Sequence, residues 1–193
     1  MSPTSSVPPS SGDGAPALKW GSTNVYTEDA DGPPVYSWTL VDRIFDTILQ
    51  TGNVPFVEIG FMPRALSSAP PGMPYEGNEG QGWRYPPRDY SRWMDLVRAL
   101  AAHCRERYGL REVSRWYWEL WNEPDIGYWR GTVEEYCRLY DYTVDGLLAA
   151  LPQAKVGGPC TTSPRRPKAG AFLHAFLEHC LHGTNAVTGE TGT

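Results

Sequence analysis

The chain has 193 residues, enough for one domain with a substantial core, and its 17 basic and 22 acidic residues leave a net charge of −5. That balance argues against nucleic acid or an anionic membrane surface as the main partner. No apolar run approaches a membrane span and residues 1–20 lack the apolar centre of a secretion signal, so a cytoplasmic location is the default expectation.

Residues 1–17 are rich in Ser, Pro and Gly and are expected to form a disordered leader, which leaves 18–193 as the folded unit. Trp38, Val41, Ile44, Phe45, Ile48 and Leu49 recur at helical spacing, between a Ser37 cap and Gly52. Val54-Pro55-Phe56-Val57-Glu58-Ile59-Gly60-Phe61 reads as a buried strand with its proline near the start, where it is tolerated. A long loop from Pro63 to Pro87 follows. A second helix is expected from about Pro87 to Tyr108, with Trp93, Val97, Leu100 and Cys104 on one face and Gly109 as its stop.

Trp116 to Trp121 is an aromatic and apolar run that suits a strand. It delivers Asn122 and Glu123 to its carboxyl end, where Pro124 has no N–H to donate and ends the ladder. Thr132-Val133-Glu134-Glu135 is a capping-box pattern; the helix it opens runs through Tyr136, Tyr140, Val144 and Leu147 and stops at Pro152. Ala154 to Gly158 reads as a short strand, and Ala171 to Leu181 as a last helix before Gly183.

Strands alternating with helices at this spacing imply an α/β fold with parallel strands and right-handed crossovers. Either a doubly wound sheet or part of a (β/α)₈ barrel fits. The first strand is not followed by a Gly-x-Gly-x-x-Gly turn. The long loop after that strand suits the carboxyl-end face of a barrel. The reading adopted is a partial (β/α)₈ barrel of about three strand-helix units.

Glu123 stands where a strand becomes a loop, with an apolar environment behind it. A carboxyl group desolvated in this way holds its proton more tightly, which suits a general acid near neutral pH. The other reading makes Asn-Glu-Pro only a strand terminator; the aromatic strand before it and Asp125-Ile126-Gly127-Tyr128-Trp129 after it favour the acid. Glu58 either reaches the same pocket or is an interior carboxylate satisfied by a neighbour. Glu119 shares the parity of Glu123 but lies roughly 13 Å deeper along the strand, as an interior group.

Eight tryptophans and 11 tyrosines are many for this length, and flat aromatic faces suit the apolar faces of sugar rings. Tyr75, Trp83 and Tyr85 on the long loop, and Trp129 just after Glu123, either wall such a site or pin its loops. Cys104, Cys137, Cys160 and Cys180 form no Cys-x-x-Cys pair and read as reduced core thiols. His174, Glu178 and His182 recur at helical spacing without a metalloprotease pattern, so a solvated face is expected, with no metal and no cofactor. Arg165-Arg166-Pro167-Lys168 is read as a surface loop.

Four segments resemble family 39 of the glycoside hydrolases, the group of β-xylosidases and α-L-iduronidases. They are Val35 to Asp46, Pro55 to Pro63, Trp116 to Asp125 and Lys155-Val156-Gly157-Gly158-Pro159, which together run from about residue 18 to the end. The third is highly specific, and Trp118 departs from the Phe usual there. The resemblance implies a (β/α)₈ barrel, a carbohydrate substrate and a retaining mechanism. Glu123 would be the acid/base, and Asn122 would hydrogen-bond the sugar 2-hydroxyl. Trp129, Glu58 and Trp83 are further candidates for contact with substrate.

Retention needs a second carboxylate about 5–5.5 Å from the first. In the family this is a Glu at the end of the seventh strand. Aligned by its motifs, the chain runs from just after the second strand to before the sixth, so the nucleophile is expected outside this sequence and the fragment is expected to be inactive. The Val57 to Pro63 segment is closer to the bacterial-type xylosidases, which makes β-xylosides the expected substrates. α-L-Iduronides, or a non-catalytic carbohydrate-binding remnant, are the alternatives.

Overall fold

The structure, a computed structural model, describes residues 23–28, 32–75 and 81–193; the leader read at 1–17 lies outside the described residues. In chain order the elements are β1 (Tyr26–Glu28), β2 (Pro34–Tyr36), α1 (Thr39–Gln50), β3 (Phe56–Ile59), α2 (Tyr90–Tyr108), the single turn α3 (Leu110–Val113), β4 (Tyr117–Leu120), α4 (Val133–Ala150), β5 (Lys155–Gly157) and α5 (Pro167–His182).

Alternation along the strands sets the orientation of the central sheet. Val57, Ile59, Trp118 and Leu120 are buried, whereas Phe56 and Tyr117 lie on the opposite face and are 62% and 49% exposed. β3 pairs in parallel with β4, with Phe56 opposite Tyr117 and Glu58 opposite Glu119. β5 joins the other side of β4 in parallel, with Lys155 opposite Tyr117. The result is three consecutive strand-helix units and a sheet covered on one face among the described residues. A doubly wound sheet would be covered on both. On the open face the rings of Phe56 and Tyr117 stack 6.0 Å apart, and the Lys155 ammonium sits 4.6 Å over Tyr117.

The covered face carries the core. Trp93, Trp116, Trp118 and Trp121 are all essentially inaccessible. Trp93 Nε1 donates to Thr143 Oγ1 at 2.8 Å across α2 and α4, and Trp116 Nε1 donates to Glu112 at 3.2 Å. Trp118 Nε1 is buried with no hydrogen-bond partner among the described residues. α2 and α4 approach closely at Gly146, where a Cβ would come within 2.8 Å of Met94 O, so no larger residue fits without a shift.

Helix ends follow local chemistry. The cap of α1 falls on Trp38, with helical dihedrals and no side-chain bond, so Ser37 is not the cap that the sequence suggests. α2 begins at Tyr90 instead of Pro87 because Asp89 Oδ1 accepts from Ser91 N and Arg92 N at 2.9 and 3.1 Å. α5 begins at Pro167, four residues before the expected Ala171. A first-turn proline loses no intrahelical bond. The antiparallel β1–β2 hairpin was not legible in the sequence, since three-residue strands are too short to show a period of two.

Asp141 organises the carboxyl-terminal end. It is fully buried, and His179 Nε2, Thr193 Oγ1 and Ala186 N lie 2.9, 2.6 and 2.8 Å from its oxygens. The helix face of His174, Glu178 and His182 is exposed to solvent. Among the described residues no helix is long and apolar enough to cross a membrane.

The start of α4 is the simplest place to test this account. Thr132 Oγ1 accepts from Glu135 N at 3.1 Å, and Glu135 Oε2 accepts from Thr132 N at 2.7 Å. Thr132→Ala is expected to lower unfolding free energy by about 1 kcal/mol, measured by urea denaturation. An unchanged midpoint would mean that tertiary packing alone fixes this helix end.

Candidate active site

The backbone leaves strand geometry directly after β4. Trp121 and Glu123 have φ of +65° and +45°. Left-handed backbone costs a residue with a Cβ about 1–2 kcal/mol. Main-chain bonds to both neighbouring strand ends hold it there. Trp121 N donates to Ile59 O at 2.9 Å and Glu123 N donates to Cys160 O at 2.9 Å, while Ile126 N closes a turn onto Glu123 O at 3.3 Å. Asn122 forms a parallel bridge with Cys160. Asn122 and Glu123 are therefore presented at the carboxyl ends of the strands. Both are partly exposed. Neither side chain has a hydrogen bond or ion pair among the described residues. Committed main chain with uncommitted polar side chains is what a ligand-facing pair requires.

Beneath this pair the aromatic residues form a floor. The Trp121 ring meets the edges of Phe61 and Trp129 with centroids 5.1 Å away in each case, and its Nε1 donates to Tyr128 O at 3.0 Å. Trp129 is 5% exposed and donates to Thr132 O at 2.8 Å. Trp83 is 4% exposed, 4.3 Å from Phe61, with the Arg84 guanidinium 4.6 Å over its ring. Trp83 and Trp129 are thus almost wholly buried in this floor. The Tyr75 hydroxyl donates to Met62 O, and Met62 N to Trp83 O at 3.1 Å, so the long loop is pinned back onto the end of β3.

The strand register also separates Glu58 from the pair. Glu58 is level with Glu119, four positions before Glu123, and each is the penultimate residue of its strand. Sequence reasoning missed Asp125 and Thr162. Asp125 is 3% exposed, and its oxygens accept from Thr162 N at 2.9 Å and Thr162 Oγ1 at 2.6 Å. The Asp was visible in the motif, but its partner lies on the next strand's loop and no local signal connects them.

The thiols divide in two. Cys104 and Cys137 are buried and Cys180 is half-buried; burial pushes the Cys137 thiol up to about 12 and the Cys180 thiol up to about 11. Cys160 is exposed beside Glu123, which corrects the reading of all four as core thiols. Among the described residues no group of three or more His, Cys, Asp or Glu side chains could hold a metal ion.

Fold and site define an α/β protein that presents an Asn-Glu pair at the carboxyl ends of parallel strands. The family model for glycosyl hydrolases family 39 matches residues 19–188, and the chain belongs to that family. It is 38% identical over 153 residues to a β-xylosidase of Geobacillus stearothermophilus, covering 78% of this chain and 29% of the relative. It is 32% identical over 161 residues to an α-L-iduronidase of Mus musculus, covering 82% of this chain and 23% of the relative. It is similar to the crystal structure of a monomeric β-xylosidase from Caulobacter crescentus, with a TM-score of 0.63, 34% identity, and coverage of 79% of this chain and 30% of that one. The chain therefore spans less than a third of each protein it resembles here.

Exposure and burial predict an order of thiol reactivity. At pH 8 Cys160 is expected to react with a disulfide reagent more than about tenfold faster than Cys104 or Cys137, since buried protonated thiols are inert. Peptide mapping after a short labelling pulse checks this. Equal labelling of Cys104 in the folded chain would contradict the core described above.

Proposed function

We propose that the chain is the central part of a (β/α)₈ catalytic domain of a retaining glycoside hydrolase that acts on β-xylosides. The observation that carries this reading is the Asn122–Glu123 pair, held by main-chain bonds and free at its side chains. The one-sided sheet with consecutive parallel strands supports the barrel, because a barrel wall has helices outside and side chains inside.

In this reading protonated Glu123 donates to the glycosidic oxygen as the bond to the anomeric carbon breaks. The resulting carboxylate then takes a proton from the water that opens the glycosyl-enzyme intermediate. Asn122 holds the sugar 2-hydroxyl, an interaction that strengthens as oxocarbenium character develops. The buried Trp121, Trp129 and Trp83 fix the loop and keep bulk water from its underside. Retention requires a carboxylate about 5–5.5 Å from Glu123. By the family resemblance that carboxylate stands at the end of the seventh strand, so the nucleophile in this proposal lies outside residues 1–193 and the isolated chain does not turn over.

Similarity to the mouse α-L-iduronidase over most of the chain supports α-L-iduronides as the second substrate class. Titration of the isotopically labelled chain with methyl β-xyloside, followed by NMR, is expected to shift the Asn122 side-chain amide and the Glu123 signals. Asn122→Ala is expected to weaken binding about tenfold. Stronger shifts with a methyl α-L-iduronide would move the assignment to the second class. No shift with either sugar would defeat the proposal. Hydrolysis of an aryl β-xyloside by the isolated chain, lost on Glu123→Gln, would show that the second carboxylate lies within it.

A further inference from the structure

We infer that Asp125 is a positioning residue for Glu123, and that its carboxylate together with Thr162 forms a clamp joining the loop after β4 to the loop after β5. The inference rests on the reading of Glu123 as the acid/base.

The parallel pairing of β4 and β5 continues past both strands, through the Asn122–Cys160 bridge and the bond from Glu123 N to Cys160 O. It stops at Pro124, which has no N–H. The chain then turns away, as the bond from Ile126 N to Glu123 O records. Two residues beyond Cys160, Thr162 N needs an acceptor that the departing main chain no longer offers. Asp125 supplies one from its side chain, at 2.9 Å, and takes the Thr162 hydroxyl on its other oxygen at 2.6 Å.

The carboxylate is 3% exposed. At that depth a carboxylate needs strong donors, and both of its oxygens have one. This side chain thus extends the ladder by one step just where Glu123 sits in left-handed backbone. Strained residues persist only where their surroundings over-determine them. Without the clamp, Glu123 N–Cys160 O would be the last bond of the ladder and free to fray. With it, that bond is flanked on both sides. Asp125 touches no reacting atom in this scheme; it acts through the backbone of Glu123.

The test uses the whole labelled chain and three variants. Thr162→Val removes the hydroxyl and keeps the backbone N–H, Asp125→Asn removes the charge, and Thr162→Ser keeps every donor. Amide exchange at Asn122 and Glu123 is expected to rise at least about tenfold in the first two, with less than about a twofold change for the core amides of α2. The strong intraresidue amide-to-Hα cross-peak of a left-handed Glu123 should weaken in both and return in Thr162→Ser. A general loss of stability would raise exchange everywhere and leave that cross-peak intact. If Asp125→Asn does not fold, Thr162→Val decides alone. Folded variants with wild-type exchange and cross-peak at Glu123 would overturn the clamp. Failure of sugar binding leaves these signals unchanged in the wild type, so it counts against the acid/base reading and not against the clamp.

Discussion

Trp121 and Glu123 both hold backbone in the left-handed region, with Asn122 between them, and the surrounding structure is organised around that constraint. The conformation can persist only if β4 has a neighbour on each side, because its two anchoring carbonyls belong to Ile59 and Cys160. β3 and β5 must therefore both be present and parallel. The last carbonyl of β4, Leu120 O, accepts the buried Tyr136 hydroxyl at 2.7 Å, which ties α4 to the same point. Gly158, at φ +144°, passes so close that a Cβ there would lie 3.0 Å from the Tyr136 hydroxyl and 3.2 Å from Leu120 O. A Cβ there would require Tyr136 or Leu120 to give by a few tenths of an ångström, and the backbone conformation is one that side chains rarely adopt.

Aromatic residues have two different uses in this fold. Under the strand ends, Phe61, Trp83, Trp121, Tyr128 and Trp129 form a contiguous cluster of edge-to-face and tilted ring pairs that gives the Glu123 loop a rigid base. On the opposite face of the sheet, Phe56 and Tyr117 stack, with Lys155 over the Tyr117 ring, and stay open to solvent. The first group takes three of the eight tryptophans. The second marks the face of the sheet that no helix covers among the described residues.

Much of this was legible in the sequence, because it is written locally. The capping box at Thr132, the stop at Gly109 and the helical spacing of Val41 and Phe45 are interactions between residues a few positions apart. The break at Pro124 is equally local, and it located the candidate acid. What was not legible depends on register and on distant partners. The level of Glu58 is set by its pairing with Glu119 in another strand. The burial of Trp83 and Trp129 depends on how the long loop folds back. Thr162 meets Asp125 across the whole of α4 and β5. Composition distinguishes neither a sugar-facing tryptophan from a supporting one nor an exposed Cys160 from the thiols in the core.

The two bonds that anchor Trp121 and Glu123 run from main chain to main chain. They depend on where Ile59 and Cys160 sit and not on what side chains they carry. The position of Glu123 is thereby uncoupled from the identity of the side chains at those two residues. Substitutions at an exposed site such as Cys160 can change the shape and polarity of the surface there while Glu123 keeps its place. A frame of this kind lets the surface around Glu123 vary without rebuilding the backbone that presents it.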